Sequence, residues 1–422
     1  MKIYKFGGAS ISNLDRIKST AEIIKETAGE KLLIVISAMG KTTNALETVV
    51  QNFFEGNQEL ALQLFESIKK SHFHFAKFLT TLEGQATESQ LKDFFTEIEW
   101  LLHDKPVRNY DYYYDQIVCC GELFSSSLLY HYLREEKLNA TWVDVRDIIR
   151  TDNNFRDAEV DWVVTGNNIA EHITPLFNKY NLVITQGFIG STDENESTTL
   201  GREGSDFSAS IFANSLEAVS VTIWKDVDAV KSADPKVFPD AVNLSALSYT
   251  EVIEMAYYGA QVIHPKTIKP LQNKNIPLLV KSFLNPQLPG TVISGKACRD
   301  LPPIIVIKPD QVLIKFKSKD FSFVEDKPVE DLQLIFDNVK LKPNLSQNTA
   351  ISLLCSFDNR EEKIEQLAVF ASEIFDVEVE KNLSLVTVRH YDNETIERLT
   401  KNKKVVLKQQ TEVTIQLLMR DF

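Results

Sequence analysis

Several features that mark particular classes of protein are scarce or missing in this sequence. Its apolar runs all fall short of the roughly 20 residues that a membrane span requires, so we expect no membrane partner. Basic side chains number 46 against 59 acidic ones, which gives a net charge of −13. Without a basic surplus to neutralise phosphates along a duplex, the chain is not expected to bind nucleic acid.

Cysteine is scarce as well, and the four cysteines lack the spacing of a metal or disulfide site (Cys119, Cys120, Cys298 and Cys355). The first residues read as a strand rather than as a basic and then apolar signal segment. Both observations favour a reducing compartment, and we predict a cytoplasmic protein. The seven histidines predict no zinc site, because His72 and His74 are two positions apart and would point to different faces of a helix.

Strand and helix patterns alternate through the first 295 residues, and 422 residues are enough for two or three domains. We predict strands at 2–6, 31–37, 115–120, 141–145, 182–185, 219–224 and 276–280. Helices are predicted at 13–28, from 43 onward, and at 122–136, 159–178, 205–215, 249–258 and 265–273, with a helical insertion at about 57–110. This alternation predicts an α/β fold over residues 1–297, in which a mostly parallel sheet is sandwiched by helices.

The pattern changes after four closely spaced prolines, Pro286, Pro289, Pro302 and Pro303. Residues 305–422 are predicted to form short strands at 312–316, 351–357, 384–389, 404–408 and 412–419, with helices near 327–336, 361–374 and 393–400. Short strands mixed with helices indicate an α+β module, which we interpret as two small βαβ-type units in tandem.

The transition from the first strand into Gly7 and Gly8 is the most informative local feature. A strand that ends in two glycines and leads into a helix presents backbone N–H groups at its carboxyl end, where an anion can bind. Lys5 adds a cation there, so we predict a phosphate site; the alternative is that Lys5 is a solvated surface lysine. Residues 40–42 look like the end of a P-loop, but Val35 stands where that motif needs glycine, which excludes a P-loop NTPase.

Nine stretches, taken in order, resemble the aspartate kinases of the amino acid kinase superfamily: KFGGAS at 5–10, SAMGKTTN at 37–44, GELFSS at 121–126, RTDNNF at 150–155, ITQGFIG at 184–190, TTLGREGSD at 198–206, IWKDVDAV at 223–230, ADPK at 233–236 and YGAQVIHPKT at 258–267. The resemblance implies the amino acid kinase fold and ATP-dependent phosphorylation of the side-chain carboxylate of L-aspartate to 4-phospho-L-aspartate, in lysine, threonine and methionine biosynthesis. Mg²⁺ would be held mainly by the phosphates of ATP. Residues 305–422 would be ACT-like (ferredoxin-like) domains that form a homodimer or higher homo-oligomer.

The resemblance also implies roles for residues of the amino acid site. Lys5 would hold the attacking carboxylate and the transferring phosphoryl group, with the N–H groups of Gly7 and Gly8 donating to them and Asp206 organising Lys5. Arg202 would bind the α-carboxylate and Glu122 the ammonium group; taken alone, Glu122 reads better as an ordinary acid in the first turn of a helix. Three further residues would line this site, Ser37, Thr43 and Ser205.

The nucleotide would be bound by Lys5, Gly8, Lys225, Asp226, Lys231, Asp234, Lys236 and Gln261, although Asp234-Pro235 could equally be only a turn. Several positions depart from the family pattern. Ala9 replaces threonine, Glu203 replaces a glycine of the loop and adds negative charge, and Gln261 replaces a lysine that contacts nucleotide. Lys225 and Lys231 also replace other residue types, and either could restore the cation that is missing at 261.

The C-terminal region departs further, because residues 305–422 contain no glycine and the segment 317–324, where an ACT effector loop would lie, is glycine-free. We therefore expect weak or no binding of lysine or threonine and a mainly dimer-forming role. Two alternatives stay open for the whole chain. One is another amino acid kinase, acting on glutamate or a carbamoyl-type substrate, and the other is a non-catalytic homologue that senses an amino acid.

Overall fold

The computed structural model describes residues 1–27, 29–298, 300–319 and 327–421. The chain divides into two compact units. The first comprises Met1–Val230, Asn243–Ile253 and Val262–Cys298, and the second comprises Lys231–Val242, Glu254–Gln261 and Arg299–Phe422.

The first unit alternates strands and helices as the sequence predicts. Its strands are β1 (Lys2–Phe6), β2 (Leu32–Ile36), β3 (Ala140–Trp142), β4 (Leu182–Gln186), β5 (Ile189–Ser191), β6 (Ser197–Thr199), β7 (Ser220–Lys225), β8 (Ala246–Ser248), β9 (Leu278–Ser282) and β10 (Thr291–Ser294). Its helices are α1 (Leu14–Thr27), α2 (Thr42–Phe54), α3 (Gln58–Leu79), α4 (Gly84–His103), α5 (Tyr110–Val118), α6 (Cys120–Glu135), α7 (Trp162–Asn168), α8 (Gly204–Ser215), α9 (Tyr249–Tyr257, whose last residues belong to the second unit) and α10 (Pro265–Asn273).

The central sheet of this unit has the strand order β3-β4-β2-β1-β7-β9-β10-β8. Neighbouring strands from β3 to β9 are parallel, and β10 is antiparallel to β9. Every residue of β2 and β4 is buried, which explains why both read as continuous apolar runs. The carboxyl ends of β1, β2, β4, β7 and β9 therefore meet at one edge of the sheet, and the predicted α/β fold with a mostly parallel sheet is confirmed.

The segment 115–120, predicted to be a strand, is helical instead. It contains the end of α5 and the beginning of α6. The helix α5 starts after Asn109, whose side chain accepts a hydrogen bond from the N–H of Tyr112. Nearly all of α6 is buried, as are both Cys119 and Cys120. An element buried on all sides lacks the alternation of polar and apolar residues that separates a helix from a strand in sequence, so the short apolar run was ambiguous.

The second unit is built on one antiparallel sheet with the strand order β12-β13-β11-β14-β16-β15. Its strands are β11 (Ile304–Ser318), β12 (Leu345–Asn348), β13 (Ser352–Asp358), β14 (Phe375–Arg389), β15 (Lys403–Gln410) and β16 (Thr414–Asp421), and its helices are α11 (Lys327–Val339), α12 (Glu361–Ala371) and α13 (Asn393–Thr400).

Three apolar clusters pack along this sheet in the described residues, one of which contains Leu313, Leu385 and Leu418, and the other two lie near its helices. Of these two, one contains Phe316, Phe336 and Phe375 beneath α11 and α12, and the other contains Val388 and Leu399 near α13. The strands β11 and β14 are each much longer than predicted, because they run past all three clusters. Part of the predicted effector loop, residues 320–324, lies outside the described residues.

One predicted helix is α-helical over only part of its length. The predicted helix at 159–178 is a short α-helix, α7, followed by a π-helical turn at Ile169–Ile173 and a 3-10 turn at Thr174–Asn178.

In the described part of the chain, no helix combines the length and the apolar character needed to cross a membrane.

Candidate active site

A cavity of about 630 Å³ opens in the first unit at the carboxyl edge of its parallel sheet. Strand ends and helix starts supply its walls, as the sheet topology requires. Eleven of the residues predicted for the site line this cavity: Lys5, Gly7, Gly8, Ser37, Thr43, Glu122, Arg202, Ser205, Asp206, Lys225 and Asp226. They come from five segments spread over more than 200 positions of sequence, and the fold brings them together.

The turn after β1 forms the floor of the cavity. Gly7 has extended backbone angles and precedes a short 3-10 turn at Gly8–Ile11. A Cβ atom on Gly8 would lie 2.4 Å from the carbonyl oxygen of Ala38, and the N–H of Gly40 donates to the carbonyl of Gly8 over 3.0 Å. Glycine is therefore required at position 8, because the loops after β1 and β2 are in direct backbone contact.

Lys5 is the central cation of the site, and it is not a solvated surface lysine. Its Nζ lies 2.7 Å from Oδ1 of Asp206, and the two side chains are only 11% and 4% exposed. Burial alone would raise the pKa of Asp206, but the charges of Lys5 and Lys225 outweigh it and hold this pKa below its usual value. Asp206 is therefore an ionised group that fixes the position of Lys5.

Lys225, at the end of β7, provides a second cation near the same carboxylate. Its Nζ lies 3.9 Å from Oδ2 of Asp206 and donates a hydrogen bond of 2.6 Å to the carbonyl oxygen of Val262. The two lysines thus flank one buried aspartate, and these three side chains together carry one surplus positive charge. Such a group suits a phosphate-bearing ligand.

Glu122 lies in the first turn of α6 and is only 4% exposed. Its Oε1 accepts a hydrogen bond of 3.2 Å from the N–H of Ala38, whereas its Oε2 has no hydrogen-bond partner among the described residues. Burial raises the pKa of Glu122 to about 8, although the N–H of Ala38, its own N–H and the charge of Lys5 partly offset the burial. A buried carboxyl with one unpartnered oxygen is prepared to receive a cationic ligand group.

Arg202 and Glu203 form the rim where the loop enters α8. Arg202 is exposed, lines the cavity and makes no ion pair within the described residues, so its guanidinium is available to an anionic ligand. Glu203 has left-handed backbone angles (φ 55°), which explains why glycine suits this position in the family pattern. Its Oε2 accepts a hydrogen bond of 2.8 Å from the N–H of His264, so the carboxylate has a structural partner.

Four predicted nucleotide residues do not line this cavity: Lys231, Asp234, Lys236 and Gln261 all belong to segments of the second unit. Asp234 forms a local turn, in which its Oδ1 accepts a hydrogen bond of 2.9 Å from the N–H of Lys236. Within the described residues, no group of three or more histidine, cysteine or acidic side chains could hold a metal ion.

The cavity also contains residues that the sequence reasoning missed, among them Tyr114, Arg156, Phe188, Thr199, Trp224 and Phe283. Arg156 and Phe188 both have positive φ values of 71°, a conformation that is uncommon for residues other than glycine and that clusters at functional sites. Phe188 and Trp224 fall inside stretches that carry the family resemblance, so position alone could have drawn attention to them. Nothing local in the sequence indicated Tyr114 or Arg156.

A parallel sheet whose carboxyl edge carries a lysine–aspartate pair, two adjacent glycines and a helix start defines a protein that handles phosphate groups. The comparisons with known proteins agree. A sequence model of the amino acid kinase family matches residues 1–282, and the chain belongs to this family.

Its relatives are aspartokinases, which confirms the resemblance drawn from the nine stretches. The lysine-sensitive aspartokinase 3 of Escherichia coli is 32% identical over 319 residues, covering 75% of this chain and 69% of that protein. A chloroplastic bifunctional aspartokinase/homoserine dehydrogenase of Arabidopsis thaliana is 34% identical over 307 residues, and the chain spans about a third of the length of such bifunctional relatives (71% of this chain, 32% of the relative). The crystal structure of E. coli aspartokinase III with aspartate and ADP superposes with a TM-score of 0.82 at 26% identity, covering 100% of this chain and 96% of that one.

Proposed function

We propose that this chain transfers the γ-phosphoryl group of ATP to the side-chain carboxylate of L-aspartate and releases ADP and 4-phospho-L-aspartate. The observation that carries the proposal is the set of charged side chains that line this one cavity. Lys5 and Lys225 flank Asp206, while the carboxyl of the buried Glu122 and the guanidinium of Arg202 supply an acidic and a basic partner for a zwitterion. A similar protein supports the same pair of substrates, since the crystal structure of E. coli aspartokinase III contains aspartate and ADP.

The chemistry needs little from the protein beyond position and charge. A side-chain carboxylate is already ionised at neutral pH, so no general base has to activate it. The barrier arises mainly because two anions must approach each other. Lys5 neutralises charge between the attacking carboxylate and the phosphoryl group, and the N–H groups of Gly7 and Gly8 line the cavity beside it. Asp206 orients Lys5 and does not exchange a proton.

The amino acid is recognised by other residues of the cavity. Arg202 binds the α-carboxylate with its planar guanidinium, and Glu122 binds the ammonium group through its Oε2, which no other described residue hydrogen-bonds. Ser37, Thr43 and Ser205 complete this wall. Because the arriving ammonium group favours the charged form of Glu122, binding of aspartate displaces a proton from that carboxyl at neutral pH.

For the nucleotide, Lys225 is the cation that compensates for Gln261, and Asp226 lies beside it on the cavity wall. Lys231, Asp234 and Lys236 remain proposed nucleotide residues. The Mg²⁺ that accompanies ATP would be held mainly by phosphate oxygens, since this ion keeps few protein ligands in such sites.

We further propose that residues 1–297 form the catalytic domain and that residues 305–422 form an ACT-like region of two small units that joins copies of the chain into a homodimer or a higher homo-oligomer. Its effector site would be weak or inactive towards lysine and threonine. The protein would work in the cytoplasm as the first enzyme of lysine, threonine and methionine synthesis.

The decisive experiment is ADP release by the purified chain with ATP and Mg²⁺, comparing L-aspartate with L-glutamate and repeating the assay with lysine and threonine. We expect release that depends on aspartate, with glutamate at least about 100-fold poorer, because an additional methylene displaces the attacking carboxylate. Lys5→Ala should lower kcat by at least about 10²-fold. Preference for glutamate would indicate a different amino acid kinase. Equal and negligible release by wild type and Lys5→Ala, with aspartate still bound in calorimetry, would indicate a sensor.

A further inference from the structure

A second guanidinium group, that of Arg156, faces the same cavity as Arg202. We propose that Arg156 is a specificity-determining residue that binds the α-carboxylate of the substrate together with Arg202. This inference rests on the proposed function, since it names how the same site distinguishes an acidic amino acid from its α-amide.

The backbone of Arg156 is held in place by buried groups. Its left-handed conformation (φ 71°) is supported by a hydrogen bond of 2.9 Å from its N–H to Oδ2 of Asp115. Asp115 is fully buried and also accepts hydrogen bonds from the N–H and the hydroxyl of Thr199, at 2.8 Å and 2.7 Å. A strained conformation that is stabilised so specifically indicates that the direction of the Arg156 side chain matters.

The same contacts bring Arg156 next to the loop that carries Arg202. The N–H of Ala158 donates to the carbonyl of Thr199 over 3.0 Å. A Cβ atom built on Gly201 would lie 3.2 Å from the carbonyl oxygen of Arg156, so the two chain segments are in backbone contact. Arg156 and Arg202 therefore enter the cavity from adjacent segments of one wall.

The side chain of Arg156 is oriented before any ligand arrives. Its guanidinium lies 4.5 Å from the ring centre of Tyr114, and its Nη1 pairs with Oδ1 of Asp111 at 3.0 Å. The hydroxyl of Tyr114 in turn donates to Oε1 of Glu47 over 2.7 Å, on the helix that also carries Thr43 one turn earlier. These contacts connect Arg156 through Tyr114 to α2, the helix that carries Thr43 of the proposed amino acid site.

The guanidinium keeps donors available for a ligand. An arginine has five N–H donors, and the contact with Asp111 uses only one of its terminal nitrogens. The side chain is about half exposed (48%), as expected for a group at the mouth of a cavity. Two arginines that approach one carboxylate stabilise its negative charge. They bind the neutral amide of an analogue much more weakly, and this difference in binding is a source of specificity.

Steady-state kinetics of Arg156→Gln and Arg156→Lys test the proposal. The control is Arg108→Gln, because Arg108 makes contacts of the same kind as Arg156, with a tyrosine ring 4.3 Å away (Tyr112) and a carboxylate (Glu196), and is equally exposed (48%), but does not line the cavity. We expect Arg156→Gln to raise the KM for aspartate about 10- to 100-fold, the usual effect of losing a hydrogen bond to a charged group. The KM for ATP should stay within about twofold, Arg156→Lys should be intermediate, and Arg108→Gln should match wild type.

The second readout uses the α-amide of aspartate, L-isoasparagine, as substrate or inhibitor. Wild type should prefer aspartate over the amide, and Arg156→Gln should reduce that preference at least about tenfold. An equal loss for both compounds would mean that Arg156 only holds α5 and the loop together, and unchanged kinetics would also overturn the proposal. Failure of the proposed function can be told apart from failure of this inference. If the proposed function is wrong, wild type itself shows no turnover of aspartate, and the role proposed for Arg156 is then wrong as well.

Discussion

Replacing Glu122 with glutamine should remove a proton-linked step from the binding of aspartate. Burial raises the pKa of Glu122 to about 8, so at pH 7 only about one molecule in eleven carries the carboxylate that an ammonium group requires. The substitution is nearly isosteric, and the amide oxygen can still accept the hydrogen bond from the N–H of Ala38. The variant is therefore expected to fold.

The magnitude follows from the distance between the working pH and this pKa. In wild type, the KM for aspartate should rise about tenfold for each pH unit below 8 and level off above it. In Glu122→Gln, the KM should be independent of pH between 6 and 8.5. It should exceed the wild-type value about 10- to 100-fold at pH 8.5, and the difference should shrink towards pH 6, where the wild-type carboxyl is itself neutral.

The stability of the free protein should fall as the pH rises, whereas the binding of aspartate should become tighter. The folded-state pKa of about 8 lies above the usual value of 4.5, so the folded protein binds this proton more tightly than the unfolded chain. The stabilisation is complete below pH 4.5 and is lost as the pH rises through 8, with an upper limit of about 5 kcal/mol. Glu122→Gln should lose this particular dependence.

The assay is aspartate-dependent ADP release between pH 6 and 8.5 with saturating ATP, together with urea denaturation of the free protein over the same range. Glu88→Gln is the control, because Glu88 is an exposed carboxylate on α4. The reasoning is refuted if the wild-type KM for aspartate is flat across this range, or if Glu122→Gln keeps the full pH dependence.

Three further predictions concern charge and space in the cavity. Lys5→Met should lower kcat about 10²- to 10³-fold and destabilise the fold by about 1–3 kcal/mol in urea denaturation, because Asp206 loses the lysine at 2.7 Å and keeps only Lys225, whose Nζ lies 3.9 Å away; unchanged stability would contradict the ion pair. Gly8→Ala should destabilise the protein by about 1–3 kcal/mol and impair activity, since the added methyl group meets a main-chain oxygen, whereas Gly166→Ala, in open space on α7, should not lower the melting temperature. In Glu203→Gln, the amide oxygen can still accept the hydrogen bond from the N–H of His264, but a negative charge is removed from the cavity wall. The KM for ATP should therefore fall several-fold, on the order of 1 kcal/mol. A higher KM would show that the carboxylate assists binding of the nucleotide.

Much of the first unit is predictable because its local sequence and its local geometry agree. The uninterrupted apolar runs of β2 and β4 are what a strand buried on both faces requires. The adjacent glycines at 7 and 8 allow a close approach of the backbone that other residues would block at position 8, and this position forms the floor of the cavity. Parallel topology then implies that the strand ends converge, although it does not say how closely.

The errors arose where neighbouring structure, not local preference, decides the conformation. The apolar residues at 117–120 are helical because α5 and α6 are buried among other elements, and burial on all sides erases the periodicity. In β11, Pro309 and Asp310 look like a strand terminator. The strand nevertheless continues, because pairing with β14 absorbs them in a bulge, where the register shifts between Lys308 and Gln311 and Asp310 takes a φ of 50°.

The sequence by itself determined the alternation of elements, the glycine-bearing strand ends and the types of charged residue available to the site, because these depend on neighbours along the chain. Only the tertiary structure decided that Arg156 joins the cavity, that Gln261 belongs to a segment of the other unit, and that Glu122 holds its proton near neutral pH. Each of these depends on which distant segments surround a group and exclude water from it. Desolvation and the distances between charges are properties of the folded chain, and no local stretch of sequence records them.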